Sequence, residues 1–110
     1  MGITKTDGVH PELLEIADLL KAIGHPARLA IIQFLAKQTT CVGNDIVELL
    51  PLAQPTISKH LSELKRVGLI QGQISGKCIS YCINGQNWSR LQEYLRSIKI
   101  QSDDLVSGCC

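Results

Sequence analysis

Apolar residues recur along this chain first at helical spacing, then at strand spacing, then at helical spacing again. Leu13, Ile16, Ala17, Leu20 and Ile23 form one stripe, on a helix that starts near Pro11 and stops at Gly24. Pro26 opens a second helix, with Leu29, Ile32, Leu35 and Ala36 on its buried side. Residues 39–43 read as a loop, and residues 45–50 as a short helical segment closed by Pro51. In the next helix, residues 54–67, Ile57, Leu61 and Leu64 fall at i, i+4 and i+7 and share one side at about 3.6 residues per turn. Pro55 suits its first turn, and Gly68 can take the left-handed conformation that stops it. Residues 69–75 and 78–83 are extended runs separated by Gly76 and Lys77, the pattern of a hairpin with glycine at its tip. Ile79, Tyr81 and Ile83 should pack on the helices, with Cys78, Ser80 and Cys82 facing outward or toward the partner strand. Asn84 and Gly85 mark a turn, and Asn87 is a plausible cap for a last helix carrying Trp88, Leu91, Leu95 and Ile98 on one face.

The predicted order is α-α-α-α-β-β-α, mostly α with a small β-hairpin. A short helix joined by a tight turn to a second one, followed by a hairpin, is winged helix-turn-helix spacing. The outer side of the second helix carries Pro55, Lys59, Ser62 and Arg66, flanked by Thr56, Ser58 and Glu63. Such a face is ordinarily just solvated; its place between a short helix and a wing makes it a recognition helix for double-stranded DNA. Thr56, Ser58, Lys59 and Ser62 are then expected near base edges, and Gln54, Lys65, Arg66 and Lys77 at phosphates. His60 lies about 60° from the core stripe, between boundary packing and a phosphate contact.

With 110 residues and 45% hydrophobic content, the chain suffices for one compact domain and is too short for a catalytic domain plus a regulator. Residues 11–100 are expected to form it, with a flexible N-terminus at 1–10 and a flexible tail at 101–110. The formal net charge of +1 gives no global basic signature. The charge is local: Lys59, Lys65, Arg66 and Lys77 stand against Glu63 alone between Ala53 and Lys77. No apolar run approaches the about 20 residues that cross a bilayer, and no signal-like segment opens the chain, so a cytoplasmic protein without a membrane partner is expected. Five cysteines, an odd number, do not suggest a secreted disulfide framework, so reduced thiols are the default. The apolar faces of the first and last helices, Leu13, Ile16 and Leu20 with Trp88, Leu91, Leu95 and Ile98, exceed what so small a core can bury. A homodimer built on them would set two recognition helices about 34 Å apart, one per half-site.

Four segments in order, Leu20-Lys-Ala-Ile-Gly-His-Pro-Ala-Arg-Leu-Ala-Ile-Ile32, Cys41-Val-Gly-Asn-Asp-Ile46, Leu52-Ala-Gln-Pro-Thr-Ile-Ser-Lys-His-Leu61 and Val67-Gly-Leu-Ile70, resemble the ArsR/SmtB family of bacterial winged-helix repressors. The resemblance covers roughly residues 13–98. It implies a dimeric regulator on operator DNA, not an enzyme, which in many members lets go when a metal or metalloid binds. The family's arsenic-type Cys-x-Cys pair is incomplete here, because Gly43 stands where the thiol after Cys41 would be. Its zinc-type site on the last helix is absent, since residues 87–100 hold no histidine.

No cofactor is required by this reading; As(III) or another thiophilic metal or metalloid is the candidate inducer, held by Cys41, Cys109 and Cys110. The blander reading makes Cys41 a small buried hydrophobe and the terminal pair a tail without a role. Cys78 and Cys82 lie about 13 Å apart along one strand, too far to share a metal. His25 is expected to cap the second helix, and His10 to lie in a loose N-terminus. Two other classes remain open: a winged-helix protein-interaction module without DNA binding, and a thiol redox protein using Cys109 and Cys110.

Overall fold

The computed structural model describes residues 8–43, 46–75 and 78–101. Five helices and one hairpin follow in order: α1 (Pro11–Ile23), α2 (Pro26–Ala36), α3 (Ile46–Leu49), α4 (Gln54–Arg66), β1 (Ile70–Ser75), β2 (Cys78–Ile83) and α5 (Gly85–Ser97). This is the predicted winged helix-turn-helix order.

Two His-Pro steps open the first two helices. The residue before a proline is pushed toward extended backbone, and both His10 and His25 are extended. Each histidine accepts through Nδ1 a hydrogen bond of 3.1 Å from the N–H two residues on, Glu12 for His10 and Ala27 for His25. The proline between them has no N–H to satisfy. His10 is therefore a helix cap rather than part of a loose terminus.

The core is one cluster in which α1 packs on α2, α4 and α5, and α2 on α4 and β2. Ile16, Leu19 and Ala22 supply it from α1, Ile31, Ile32 and Leu35 from α2, Ile57, Leu61 and Leu64 from α4, and Leu91 from α5. The buried strip of α1 is thus rotated from the predicted stripe, since Leu13 and Ala17 are exposed. On α2, Leu29 and Ala36 are likewise exposed while Ile31 is fully buried. The neighbours of each helix, α2, α4 and α5 for α1, and α1, α4 and β2 for α2, select which part of a broad apolar arc faces inward.

At the end of α4 the chain reverses through Gly68, whose φ is +85°. Gly68 N–H donates to Lys65 O at 3.0 Å and Leu69 N–H to Leu64 O at 3.1 Å, the pair of bonds of a Schellman stop. β1 and β2 pair antiparallel from Ile70↔Ile83 to Ser75↔Cys78. Tyr81 and Ile83 pack on the core as expected, whereas Ile79, farther out along β2, is half-buried outside that cluster. Residues 39–43 are not wholly a loop, because Val42 forms an isolated antiparallel bridge with Tyr81. The cap of α5 is Asn84, whose Oδ1 accepts from Asn87 N–H at 3.2 Å. Asn87, expected in that role, sits inside the helix and donates from Nδ2 to Gly68 O at 2.9 Å. No single helix among the described residues is long and apolar enough to cross a membrane.

Candidate nucleic-acid interface

α3 and α4 are joined by residues 50–53, a turn of helix-turn-helix length, with Leu52 N–H donating to Leu50 O at 2.8 Å. α4 buries Ile57, His60, Leu61 and Leu64. That fixes its rotation and leaves Gln54, Thr56, Ser58, Lys59, Ser62, Lys65 and Arg66 exposed. Among the described residues, the side-chain hydrogen bonds of α4 are made by His60, Glu63 and Arg66. Thr56, Ser58, Lys59 and Ser62 therefore form a hydroxyl-and-ammonium face whose donors are not taken up by described neighbours.

Three of the predicted contacts need revision or a finer description. His60 is only 7% exposed and accepts through Nδ1 from Arg28 Nε at 3.1 Å, so it faces the core side of α4 and not a phosphate. Burial is the main cause that lowers its pKa, followed by the positive charges of His25, Arg28 and Lys59. Arg66 is exposed but tied, at 2.7 Å to Glu63 and 3.5 Å to Asp18 of α1. The hydrogen bonds to Glu63 and Asp18 raise its pKa, and the same contact with Arg66 lowers that of Glu63. Lys65 reaches over β1: its Nζ lies 3.1 Å from where a Cβ on Gly72 would stand, so any larger residue there would displace the ammonium. Lys77 lies outside the described residues.

Arg28 is the residue that sequence reasoning missed. Beside His60 it binds Ala22 O through Nη1 at 3.2 Å, joining α1, α2 and α4 through one guanidinium. Its only sequence signal was its place two residues after the His25-Pro26 cap.

Residues 25–71, which span α2 through the first residues of β1, match the family described as "Bacterial regulatory protein, arsR family". The chain is 38% identical over 71 residues to the HTH-type transcriptional repressor SmtB of Mycobacterium tuberculosis, covering 64% of this chain and 52% of that protein. It is 36% identical over 84 residues to the biofilm growth-associated repressor of Agrobacterium fabrum, covering 76% of this chain and 71% of that protein. It belongs to the ArsR family. The chain matches only about half the length of the mycobacterial relative. Among solved structures, the NMR structure of a homodimeric winged helix-turn-helix DNA-binding domain from Mycobacterium bovis superimposes with a TM-score of 0.65 at 26% identity, covering 87% of this chain and 88% of that one.

For this ArsR-family chain the residues expected at a dimer interface divide in three. Ile16 and Leu91 are 2% and 1% exposed and belong to the core of the single chain. Leu20 and Trp88 are half-buried against that core. Leu13 on α1 and Leu95 and Ile98 at the end of α5 remain exposed, joined by Leu14, which the predicted stripe omitted. α1 and α5 pack on each other, yet these four side chains stay exposed.

The cysteines also differ from expectation. Cys41 and Cys82 form a disulfide, with Cα atoms 4.6 Å apart, so the default of reduced thiols does not describe this pair. The Val42↔Tyr81 bridge brings them together, and periodicity carried no sign of it. Among the described residues, no three His, Cys, Asp or Glu side chains gather to hold a metal. Cys109 and Cys110, the other two sulfurs of the expected metalloid site, lie outside the described residues.

Proposed function

We propose that this protein is a dimeric, sequence-specific DNA-binding repressor that acts in the cytoplasm. The observation that carries the reading is the face of α4. Thr56, Ser58, Lys59 and Ser62 are exposed on one side of a helix whose opposite side is locked into the core, and the whole helix is set by a tight turn from α3. A helix presented in this way enters the major groove, where hydroxyls and ammonium groups donate to base edges. Lys65, beside β1, supplies a cation for the flanking backbone. The exposed Leu13, Leu14, Leu95 and Ile98 supply an apolar surface for a second copy, in line with the homodimeric domain from Mycobacterium bovis. Release by a thiol-seeking inducer such as As(III) completes the proposal, with Cys41, once its disulfide is reduced, among its ligands.

Fluorescence anisotropy tests it. The protein should bind a duplex from its own promoter more tightly than random duplex, with log K falling steeply against log salt as phosphate counterions are released. Equal affinity for both duplexes, or binding indifferent to salt, would reject it in favour of a winged-helix protein-interaction module.

A further inference from the structure

Val42 and Tyr81 exchange two backbone hydrogen bonds, N–H to O at 2.8 Å and 2.7 Å. In an antiparallel pair the next position along is a non-hydrogen-bonded one, where opposed Cα atoms approach to about 4.5 Å. Cys41 and Cys82 occupy that position, and their Cα separation is 4.6 Å. Their closeness follows from the backbone bridge, so the two sulfurs face each other whether or not they are bonded. Both residues are half-buried and line a cavity of about 450 Å³, shared with Leu35, Thr39 and Trp88, through which a small molecule reaches them.

The pair spans two parts of the DNA-reading unit. Cys41 lies on the segment that leads into α3, while Cys82 is in the wing, paired with Gln71 of the strand that follows α4. Closing a disulfide takes two sulfurs from van der Waals contact, at roughly 3.5 to 4 Å, to a bond of about 2.05 Å. With the Cα atoms already at the spacing the bridge sets, rotation of the two side chains makes the bond, which locks the base of the wing to the lead-in to α3 by a covalent link. Groove and phosphate contacts must be met by α4 and the wing at once, so a covalent link that fixes the wing against the lead-in to α3 changes affinity.

Building on the DNA-binding function proposed above, we propose that Cys41 and Cys82 form a reversible dithiol–disulfide site, and that its oxidation by a small-molecule disulfide weakens binding to DNA. In a reducing compartment the resting form is the dithiol, which binds. One thiolate attacks a sulfur of R–S–S–R, forming a mixed disulfide and expelling RS⁻. The second thiolate attacks the protein sulfur of that mixed disulfide, closing Cys41–Cys82 and expelling the second RS⁻. The two protons lost by the cysteines end on two RSH, so two thiols are oxidised and one disulfide is reduced. Reduction by excess thiol reverses both steps.

The test uses the full chain with Cys78, Cys109 and Cys110 replaced by Ser, which leaves Cys41 and Cys82 as the only thiols. Promoter-duplex affinity is measured by anisotropy across a series of oxidised to reduced glutathione ratios, and the fluorescence of Trp88, the single tryptophan, is followed in parallel without DNA. Oxidation should weaken binding roughly tenfold, within the usual range of coupling between two sites. The Trp88 signal should step at the same ratio, and Cys41→Ser and Cys82→Ser should each abolish both responses. Equal affinity at both ends of the series overturns the coupling, as does a response that survives Cys82→Ser. Should either serine variant fail to fold, peptide mapping of the triple-serine protein decides: an oxidised product without a Cys41–Cys82 crosslink overturns the site. If the reduced protein binds no DNA at all, the function proposed above fails together with the coupling, while the Trp88 step still reports whether the pair closes.

Discussion

Arg28 of α2 donates from Nε to His60 Nδ1 of the recognition helix at 3.1 Å, while its Nη1 holds Ala22 O at the end of α1. The His25 ring lies against the same imidazole, with centroids 4.5 Å apart. One side chain thus couples the scaffold to the inner side of α4, and so to the direction in which Lys59 and Ser62 point. Replacing Arg28 by Ala leaves His60 Nδ1 and the Ala22 carbonyl without these partners and should cost about 1 to 3 kcal/mol of stability. Urea unfolding measures this, and an unchanged midpoint would show that the contact does not hold α4.

The pH dependence of stability follows from the same histidine. Its folded pKa lies below the ordinary value, chiefly through burial. Above about pH 6.5 His60 is neutral in both folded and unfolded chains and contributes no slope. As pH falls below that, the unfolded chain takes up the proton first, and stability declines until the folded pKa is passed. Thermal melts between pH 7.5 and 5 should show this decline, and His60→Asn, which keeps a polar group without titrating, should flatten it. Identical slopes in the two proteins would count against the assignment.

Lys59 and Arg66 share the outer side of α4 but differ in commitment. Lys59→Ala should weaken promoter binding by about 1 to 3 kcal/mol and relax discrimination at one base position. Arg66 already faces the Glu63 and Asp18 carboxylates, so Arg66→Ala should reduce the salt slope by less than the roughly 0.9 expected for a full phosphate contact. Lys65→Ala should reduce it by about that full amount. Anisotropy titrations at four salt concentrations separate the three variants.

The division of apolar residues between core and surface predicts opposite outcomes for neighbouring positions of α5. Leu91 is 1% exposed and Leu95 47% exposed. Leu91→Ala should destabilise the fold by about 2 to 5 kcal/mol. Leu95→Glu combined with Ile98→Glu should leave the circular dichroism spectrum intact and shift sedimentation from dimer to monomer. A double variant that sediments like the parent would place the interface elsewhere.

Gly68 has positive φ, and a Cβ there would stand 2.8 Å from Asn87 Nδ2, the group that donates to Gly68 O. Gly68→Ala therefore meets both backbone strain and the loss of this contact, and should cost about 1 to 3 kcal/mol. Asn87→Ala removes only the hydrogen bond, so it should cost less. Differential scanning calorimetry orders the two, and the reverse order would mean that the side-chain bond outweighs the backbone.

The order of elements and the polar side of α4 were legible in the sequence because their signals are local. Ile57, Leu61 and Leu64 repeat within one helix, Pro55 and Gly68 bracket it, and residues 69–83 alternate as strands do. Those signals are short-range consequences of backbone geometry, so the chain by itself determined the winged helix-turn-helix order and the polar side chains exposed on the outer side of α4. Periodicity could not say which part of a broad apolar arc would be covered. Ile16 and Leu91 went to the core and Leu29 to the surface because the packing of neighbouring helices made that choice. Nor could it pair residues far apart: Arg28 meets His60 across 32 positions, and Cys41 meets Cys82 across 41. These contacts exist only once the helices and the wing have docked, so tertiary structure alone decided how α4 is held and which two thiols face each other.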